Sequence, residues 1–441
     1  MPAMAYAWER LGAAEKDALL AAIAGGSPAP PPRVVEISWQ DRCNIDCFFC
    51  STAEVRAGNF ELPAARLEAL FDEMRDLGVR GVRLMGGGEP LFRRDAAALV
   101  AALGHRNLRV TDVTTNGVLL TEPVVRALFA TGCDEICVSL NTAEPASYAA
   151  MMQTTAKNFD RVVENVRRAA AIKRETGAAC AIKLQFLVYR DNYRQLPEMH
   201  RLFRESGADA FWLNGLYPVR PMPTMTDAEV DEMLGLYAGV LAEDYFEGLE
   251  RFSFWERSIA DRIAETERRV FAAAPLSRRA KVRWRHLFDA AGRRVRAAEP
   301  LHEFCLVGWY STTIAANGDV VTCCILQDHK SAVLGNVLES SLTQIWNGPR
   351  YARFRGELAE IMARRGRVDA FENACQVVGL CAEKGACPNR SSYWGGDLDF
   401  RRRFHAAVEA MPRPAGAPFT SLPGRRPAGL PAHPSAALPV R

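Results

Sequence analysis

Three cysteines stand close together at Cys43-Asn-Ile-Asp-Cys47-Phe-Phe-Cys50, directly after the strand-like run Arg33-Val-Val-Glu-Ile-Ser-Trp39. A short loop leaving a strand can turn all three sulfurs to one point, where a soft metal would sit. Ligand number then separates two kinds of site. A [4Fe-4S] cube takes a thiolate on each iron, so three protein ligands leave one iron open, whereas a structural zinc site is closed by four. The nearest histidine, His105, is too far along the chain to complete a zinc tetrahedron locally. The plain alternative is reduced cysteines packed as small hydrophobes, which a polar loop containing Asn44 and Asp46 disfavours.

The spacing Cys-x3-Cys-x2-Cys, with the aromatic Phe49 before the last cysteine, resembles the signature of radical SAM enzymes. The resemblance implies that S-adenosylmethionine chelates the open iron through its amino and carboxylate groups. A flavodoxin- or ferredoxin-type donor would then reduce the cluster, and the 5′-deoxyadenosyl radical released would abstract hydrogen from substrate. A second motif, Met85-Gly-Gly-Gly-Glu-Pro90, follows a strand-like segment. As a phosphate cradle it is poor, because no Lys-Ser/Thr follows and Glu89 would repel a phosphate. Bare glycine backbone beside a carboxylate suits an ammonium group instead, and a plain turn is the competing reading. The motif resembles the Gly-Gly-Glu-Pro of the same family, so Gly87, Gly88, Glu89 and Pro90 would contact the cofactor's amino group. By the same resemblance Ser139 would hold its carboxylate, while Asn116, Gln185 and Asn192 would lie near its ribose. Many relatives pair that carboxylate with an arginine a turn beyond the fourth strand. This chain reads Ala149-Ala-Met-Met-Gln153 there, and Arg190 is the substitute on offer. Each of these polar residues could equally be a turn or cap.

The elements that must position these groups alternate strand and helix. Strands are predicted near 34–39, 81–86, 108–114, 135–140, 180–188 and 209–214, with amphipathic helices near 63–77, 94–103, 122–131, 159–175 and 192–206. Six βα repeats imply a parallel sheet with right-handed crossovers. Glu36, Ser38, Thr111, Lys183 and Gln185 interrupt the apolar strands, which favours a curved sheet with one wet face. The expected fold class is therefore α/β, a partial (β/α)6 TIM-like barrel with chemistry at the strands' C-terminal ends, followed by an α+β domain. Cys133, Cys137 and Cys180 are expected in its core.

That second domain begins at Cys305. The segment from Trp309 to Cys324 alternates across Asn317-Gly318, a hairpin signal, and Leu334 to Trp346 reads as a strand end leading into a helix. With Cys375, Cys381 and Cys387 beyond, the region resembles the SPASM or shorter twitch extension of radical SAM enzymes, which holds an auxiliary cluster. The resemblance implies one auxiliary [4Fe-4S] cluster on Cys305, Cys323 and two of Cys375, Cys381 and Cys387. It departs from the family in lacking a closing Cys-x2-Cys pair, and zinc at these ligands is the alternative. Cys324, beside a ligand, is a candidate hydrogen-atom donor; the bland reading is an ordinary strand cysteine.

The 441 residues are ample for two domains, and 55 Lys and Arg against 52 Asp and Glu give no charge argument for nucleic acid or a membrane surface. Twelve cysteines grouped in a triad and a later set point to metal ligation in a reducing cytoplasm rather than to disulfides. Charged residues Glu9 to Asp17 break any signal peptide, and no run is long enough to span a bilayer. The expected division is 1–32, a helix and Pro-rich linker; 33–225, the barrel; 226–300, a helical insert; 301–395, the SPASM/twitch domain; and 396–441, a helix and disordered Pro-rich tail. Residues 278–296 are strongly basic, either a solvated helix face or a dock for an acidic electron donor or anionic substrate.

The function expected is hydrogen abstraction from an unactivated C–H of a small natural-product intermediate such as a sugar, aminocyclitol or nucleoside. The short N-terminus, which lacks a winged-helix leader-binding module, favours that over a peptide. The alternatives are a peptide maturase or epimerase, and a non-enzymatic Fe-S electron-transfer or zinc protein. The last explains the cysteines but not the barrel or Gly87-Gly88-Glu89.

Overall fold

Six apolar runs become six parallel strands: β1 (Val34–Ile37), β2 (Gly81–Leu84), β3 (Arg109–Thr115), β4 (Glu135–Ser139), β5 (Ala181–Val188) and β6 (Ala210–Gly215). They lie in sequence order within one sheet, each close to its predicted bounds. This is a computed structural model, which describes residues 8, 10–25, 29–216, 224–244, 257–275, 306–323, 327, 332–365 and 397–410.

The helices in chain order are α1 (Ala13–Ile23), α2 (Ala53–Arg56), α3 (Ala64–Leu77), α4 (Ala96–His105), α5 (Glu122–Ala130), α6 (Pro145–Met151), α7 (Ala156–Thr176), α8 (Leu196–Ser206), α9 (Asp227–Asp244), α10 (Arg257–Ala273), α11 (Leu342–Trp346), α12 (Pro349–Arg365) and α13 (Leu398–Glu409). Those that follow β1 to β5 complete a partial (β/α)6 barrel. No helix among the described residues is long and apolar enough to cross a membrane.

Side chains alternate across a strand, so each strand serves two environments. Val35, Ile37, Val82 and Leu84 join an apolar core with Leu67, Leu70, Phe71 and Val100 of the covering helices. The intervening residues form a charged row. Register sets Glu36 against Arg83 and Arg83 against Asp112, and the guanidinium reaches both carboxylates, at 3.0 and 2.8 Å. Lys183 pairs with Glu135 at 2.6 Å and lies 5.6 Å from the centre of the Trp212 ring. Buried charge is tolerable when it is paired in this way. A bulge between β2 and β3 shifts the alternation by one. Asp112 therefore faces Arg83, and Thr111, expected in that row, bonds the Val82 carbonyl instead.

The barrel's lower end, where strands begin, is closed by α1. Glu15 pairs with Arg33 and Arg80, which precede β1 and β2. Arg10 donates two hydrogen bonds to Asp134, just before β4, and Arg109 at the start of β3 bonds the same carboxylate. Trp8 packs edge-on against Phe400 of α13 at 4.6 Å.

The expected hairpin forms as β7 (Ser311–Ile314) and β8 (Asp319–Val321), turning at Gly318 with φ +87°, and β9 (Gly335–Asn336) adds a third strand. It does not stand apart from the barrel. β7 lies parallel to β1, Val34 opposite Ser311 and Ile37 opposite Ile314. One nine-stranded sheet therefore runs β6-β5-β4-β3-β2-β1-β7-β8-β9.

Candidate active site

The two motifs are stitched together at the upper end of β1 and β2. The Ser38 hydroxyl accepts the Gly87 N–H at 2.8 Å, and Gln40 Nε2 donates to the Glu89 carbonyl at 2.5 Å. Trp39 Nε1 donates to the Pro90 carbonyl, and the Glu89 N–H to the Arg42 carbonyl. From the far side of the cysteine loop, Thr52 Oγ1 donates to the Gly87 carbonyl at 2.8 Å. This intimacy explains the glycines. A Cβ on Gly88 would lie 2.2 Å from the Arg42 carbonyl oxygen, and one on Gly86, whose φ is +141°, 2.2 Å from Ser38 Cβ.

Glu89 is the pin beneath. Buried at 3% exposure, its carboxylate accepts from Thr115 Oγ1 at 2.6 Å and from the N–H groups of Leu91 and Asn116. Burial nevertheless pushes its carboxyl up to about 7, against the pull of those donors. Asn116, thus fixed, donates to Asn44 Oδ1 at 2.8 Å and reaches Cys43 Sγ at 3.8 Å.

The three thiols share one neighbourhood. Cys50 Sγ lies 3.3 Å from Thr52 Oγ1 and 3.6 Å from the Arg56 guanidinium, which also pairs with Asp46 at 3.0 Å. Cys47 Sγ lies 3.7 Å from Met152 Sδ. Burial pushes the Cys47 thiol up to about 12, with the charges of Cys43 and Cys50 adding to it; burial also raises Cys43. Three half-buried thiols close enough for Cys43 and Cys50 to oppose the ionisation of Cys47 are a donor set suited to a cationic partner, which deprotonates a bound thiol outright. Among the described residues no three Cys, His, Asp or Glu side chains are gathered tightly enough for a single ion. A cube takes its thiolates on separate irons and has no such requirement.

The loop carrying them leans on α6. The Asp46 and Phe48 N–H groups donate to the Met152 and Met151 carbonyls, and the Phe48 ring meets Tyr189 and Phe49 edge-on at 5.6 and 5.4 Å. Ser139 and Gln185, paired in register across β4 and β5, share a 2.8 Å hydrogen bond. The Asn192 amide is engaged with the Leu187 and Asn141 carbonyls and the Tyr189 N–H, tying together the chain beyond β4 and β5. Arg190 is taken by Glu229 of α9 at 2.9 Å. Cys133, Cys137 and Cys180 are buried. Cys323 is buried just beyond β8. Cys305, Cys324, Cys375, Cys381, Cys387, the basic run 278–296 and the tail from 411 lie outside the described residues.

Sequence reasoning passed over α6, with Tyr148, and the helix bearing Arg56; Met152 entered it only as part of the stretch without the expected arginine. Pro145, at the first position of α6, was the available signal.

Residues 37–203 match the model of the Radical SAM superfamily, and residues 305–376 that of an iron-sulfur cluster-binding domain of the SPASM type. The chain belongs to the radical SAM superfamily and carries a C-terminal SPASM domain. With that membership come a [4Fe-4S] cluster that binds S-adenosylmethionine and an auxiliary iron-sulfur cluster. A probable GTP 3′,8-cyclase of Methanothermobacter thermautotrophicus is 32% identical over 180 residues, 40% of this chain and 56% of that protein. A PqqA peptide cyclase of Gluconobacter oxydans is 31% identical over 182 residues, 41% and 48% of the two chains. The chain thus spans about half the length of these curated relatives. Among solved structures, Streptococcus suis SuiB bound to its precursor peptide SuiA superposes with a TM-score of 0.52 at 17% identity, covering 76% of this chain and 70% of SuiB. That likeness is one of fold.

Proposed function

We propose that this chain is a radical SAM peptide-modifying enzyme, which activates an unactivated C–H bond of a ribosomally made peptide. The observation that carries the first half is the interlock just described. The loop bearing Cys43, Cys47 and Cys50 is bonded along its stem to Gly87, Glu89 and Pro90, so a cluster and a cofactor would be held by one rigid unit. When bound and reduced, the cofactor would supply the radical chemistry that removes the hydrogen atom.

In this reading Cys43, Cys47 and Cys50 would hold the cluster, with the Arg56 guanidinium placed to offset thiolate charge at Cys50. The backbone of Gly87 and Gly88 would receive the cofactor's ammonium group, while the Glu89 carboxylate, turned to Thr115 and Asn116, keeps that backbone and the end of β3 in place. Ser139 and Gln185 offer hydroxyl and amide groups to the rest of the cofactor from the mouth of β4 and β5. Phe48, Phe49 and Tyr189 keep water from the reacting centre, which protects a radical from being quenched. Cys305, Cys323 and two of Cys375, Cys381 and Cys387 would hold the auxiliary cluster, and a flavodoxin- or ferredoxin-type protein would deliver the electron.

The small metabolite expected from the short N-terminus gives way to a peptide. What supports a peptide is the alignment with a relative named for a peptide substrate, and the fold shared with SuiB, which takes a precursor peptide. The test is anaerobic. Reconstituted protein, reduced and supplied with S-adenosylmethionine, should form 5′-deoxyadenosine, and Cys47→Ala should form none while still folding. Retained cleavage in that variant would refute the role given to the triad. A short peptide encoded beside this gene should change mass only with active enzyme. An unaltered peptide alongside a converted nucleotide or sugar would sink the peptide reading and leave the radical chemistry standing.

A further inference from the structure

Tyr148 of α6 is wholly buried, and its hydroxyl has no hydrogen-bond partner. Leaving a dry O–H unmade is costly, and native interiors seldom do so without something to complete it. The ring is fixed, edge-on to Phe159 at 5.8 Å, so the hydroxyl's position is set by packing. Burial holds the phenol well above its usual range; it is a donor at any working pH.

Its neighbours identify the acceptor. The groups whose charge it feels are Cys47, Glu89 and Cys43, in that order. Glu89 is already served by Thr115, Leu91 and Asn116. Cys47 is less well served: its sulfur has the N–H of its own backbone, and the Met152 thioether it touches has no proton to give. The same helix presents its last carbonyls to the cysteine loop at Asp46 and Phe48, so Tyr148 and Cys47 are held on two surfaces bonded to each other.

We propose that the Tyr148 hydroxyl donates a hydrogen bond to the sulfur side of the cluster on Cys43, Cys47 and Cys50, at the Cys47 thiolate or the sulfide beside it, and so makes that cluster easier to reduce. A donor at sulfur stabilises the more electron-rich, reduced state. Tyr148 is on this account a positioning and tuning residue, and the proposal rests on the triad holding a cluster, as argued above.

The test is an anaerobic redox titration of the full chain, followed by electron paramagnetic resonance, without S-adenosylmethionine. The signal followed is the one absent from Cys47→Ala, which excludes the auxiliary cluster. Tyr148→Phe should keep its iron content and thermal transition, with the reduction equilibrium made about tenfold less favourable, roughly 59 mV for one electron. Replacing Tyr148 by a fluorinated tyrosine, a stronger donor of the same shape, should move the potential the other way. An unchanged potential in iron-replete Tyr148→Phe overturns the proposal. So does a shift seen only when S-adenosylmethionine is bound, which would assign the hydroxyl to the cofactor. A wild-type chain that takes no iron on the triad overturns the functional reading itself, a result distinguishable from either.

Discussion

Glu89 shows how one residue links sequence, packing and pH. Its carboxylate has three donors yet lies so deep that desolvation wins, and its carboxyl sits at about 7 instead of 4.5. The folded chain therefore keeps a proton that the unfolded chain releases between those values. The stability this contributes is fully present below about 4.5 and lost as pH rises through 7, on the order of 3 kcal/mol in all. Apo protein should accordingly melt at higher temperature as the pH falls from 8 towards 5.5, where Glu89→Gln, which cannot titrate, should show a shallower slope. Parallel slopes in calorimetry at matched ionic strength would contradict a buried, protonatable Glu89. Gly86 and Gly88 act at the same scale for another reason: their missing side chains let the loop close against Ser38 and against the Asp41–Arg42 backbone.

Elements were legible where local pattern decides them. The six strands of the barrel follow alternating apolar runs, and β7 and β8 follow the Asn317-Gly318 turn, because neither needs information from elsewhere in the chain. α6 was not legible; seven residues give too little periodicity, and Tyr148 went unnoticed with it. The cysteine spacing disclosed its own chemistry, but Ser38 and Gln40 support the site by bonding the backbone of the glycine loop, and Thr115 by donating to the Glu89 carboxylate, contacts across strands that no linear pattern encodes. At the other end of the strands, the segment leading into α1 is fastened through Arg10 to a buried carboxylate, Asp134. Burial opposes the charge on Asp134, but the Arg10 and Arg109 guanidinium groups outweigh it and hold the carboxyl below its usual range. Asp134→Asn should cost about 1 kcal/mol in urea unfolding, since both arginines are partly exposed and screened. Because the contact is at the strands' beginnings, 5′-deoxyadenosine formation should stay near wild type. A variant of intact stability that has lost cleavage would mean the lower end bears on the chemistry.

At the scale of the whole molecule, the boundary expected between barrel and C-terminal domain does not interrupt the sheet. β1 has β2 on one side and β7 on the other, and that second pairing joins residues far apart in sequence, which is why it could not be read beforehand. Side chains reinforce it. Arg66 of α3 donates to the Val337 carbonyl, Glu73 accepts the Leu342 N–H at the start of α11, and Trp346 Nε1 bonds the Pro30 carbonyl in the linker. β1 leads straight into the cysteine loop, so the C-terminal strands brace the strand that delivers the thiols. Ending the chain at Glu299 would leave β1 as an open edge with unpaired N–H and C=O groups, a template for aggregation. Such a truncation should recover as aggregate or as a poorly stable monomer with few irons on the triad, against about eight per chain for reconstituted full-length protein if both clusters are cubes. Size-exclusion chromatography with iron analysis decides it. A truncated chain that is monomeric, melts like the full protein and carries about four irons would show that the barrel stands alone. In that case β7 only borrows the edge of β1, and the cysteine loop owes nothing to the strands beyond it.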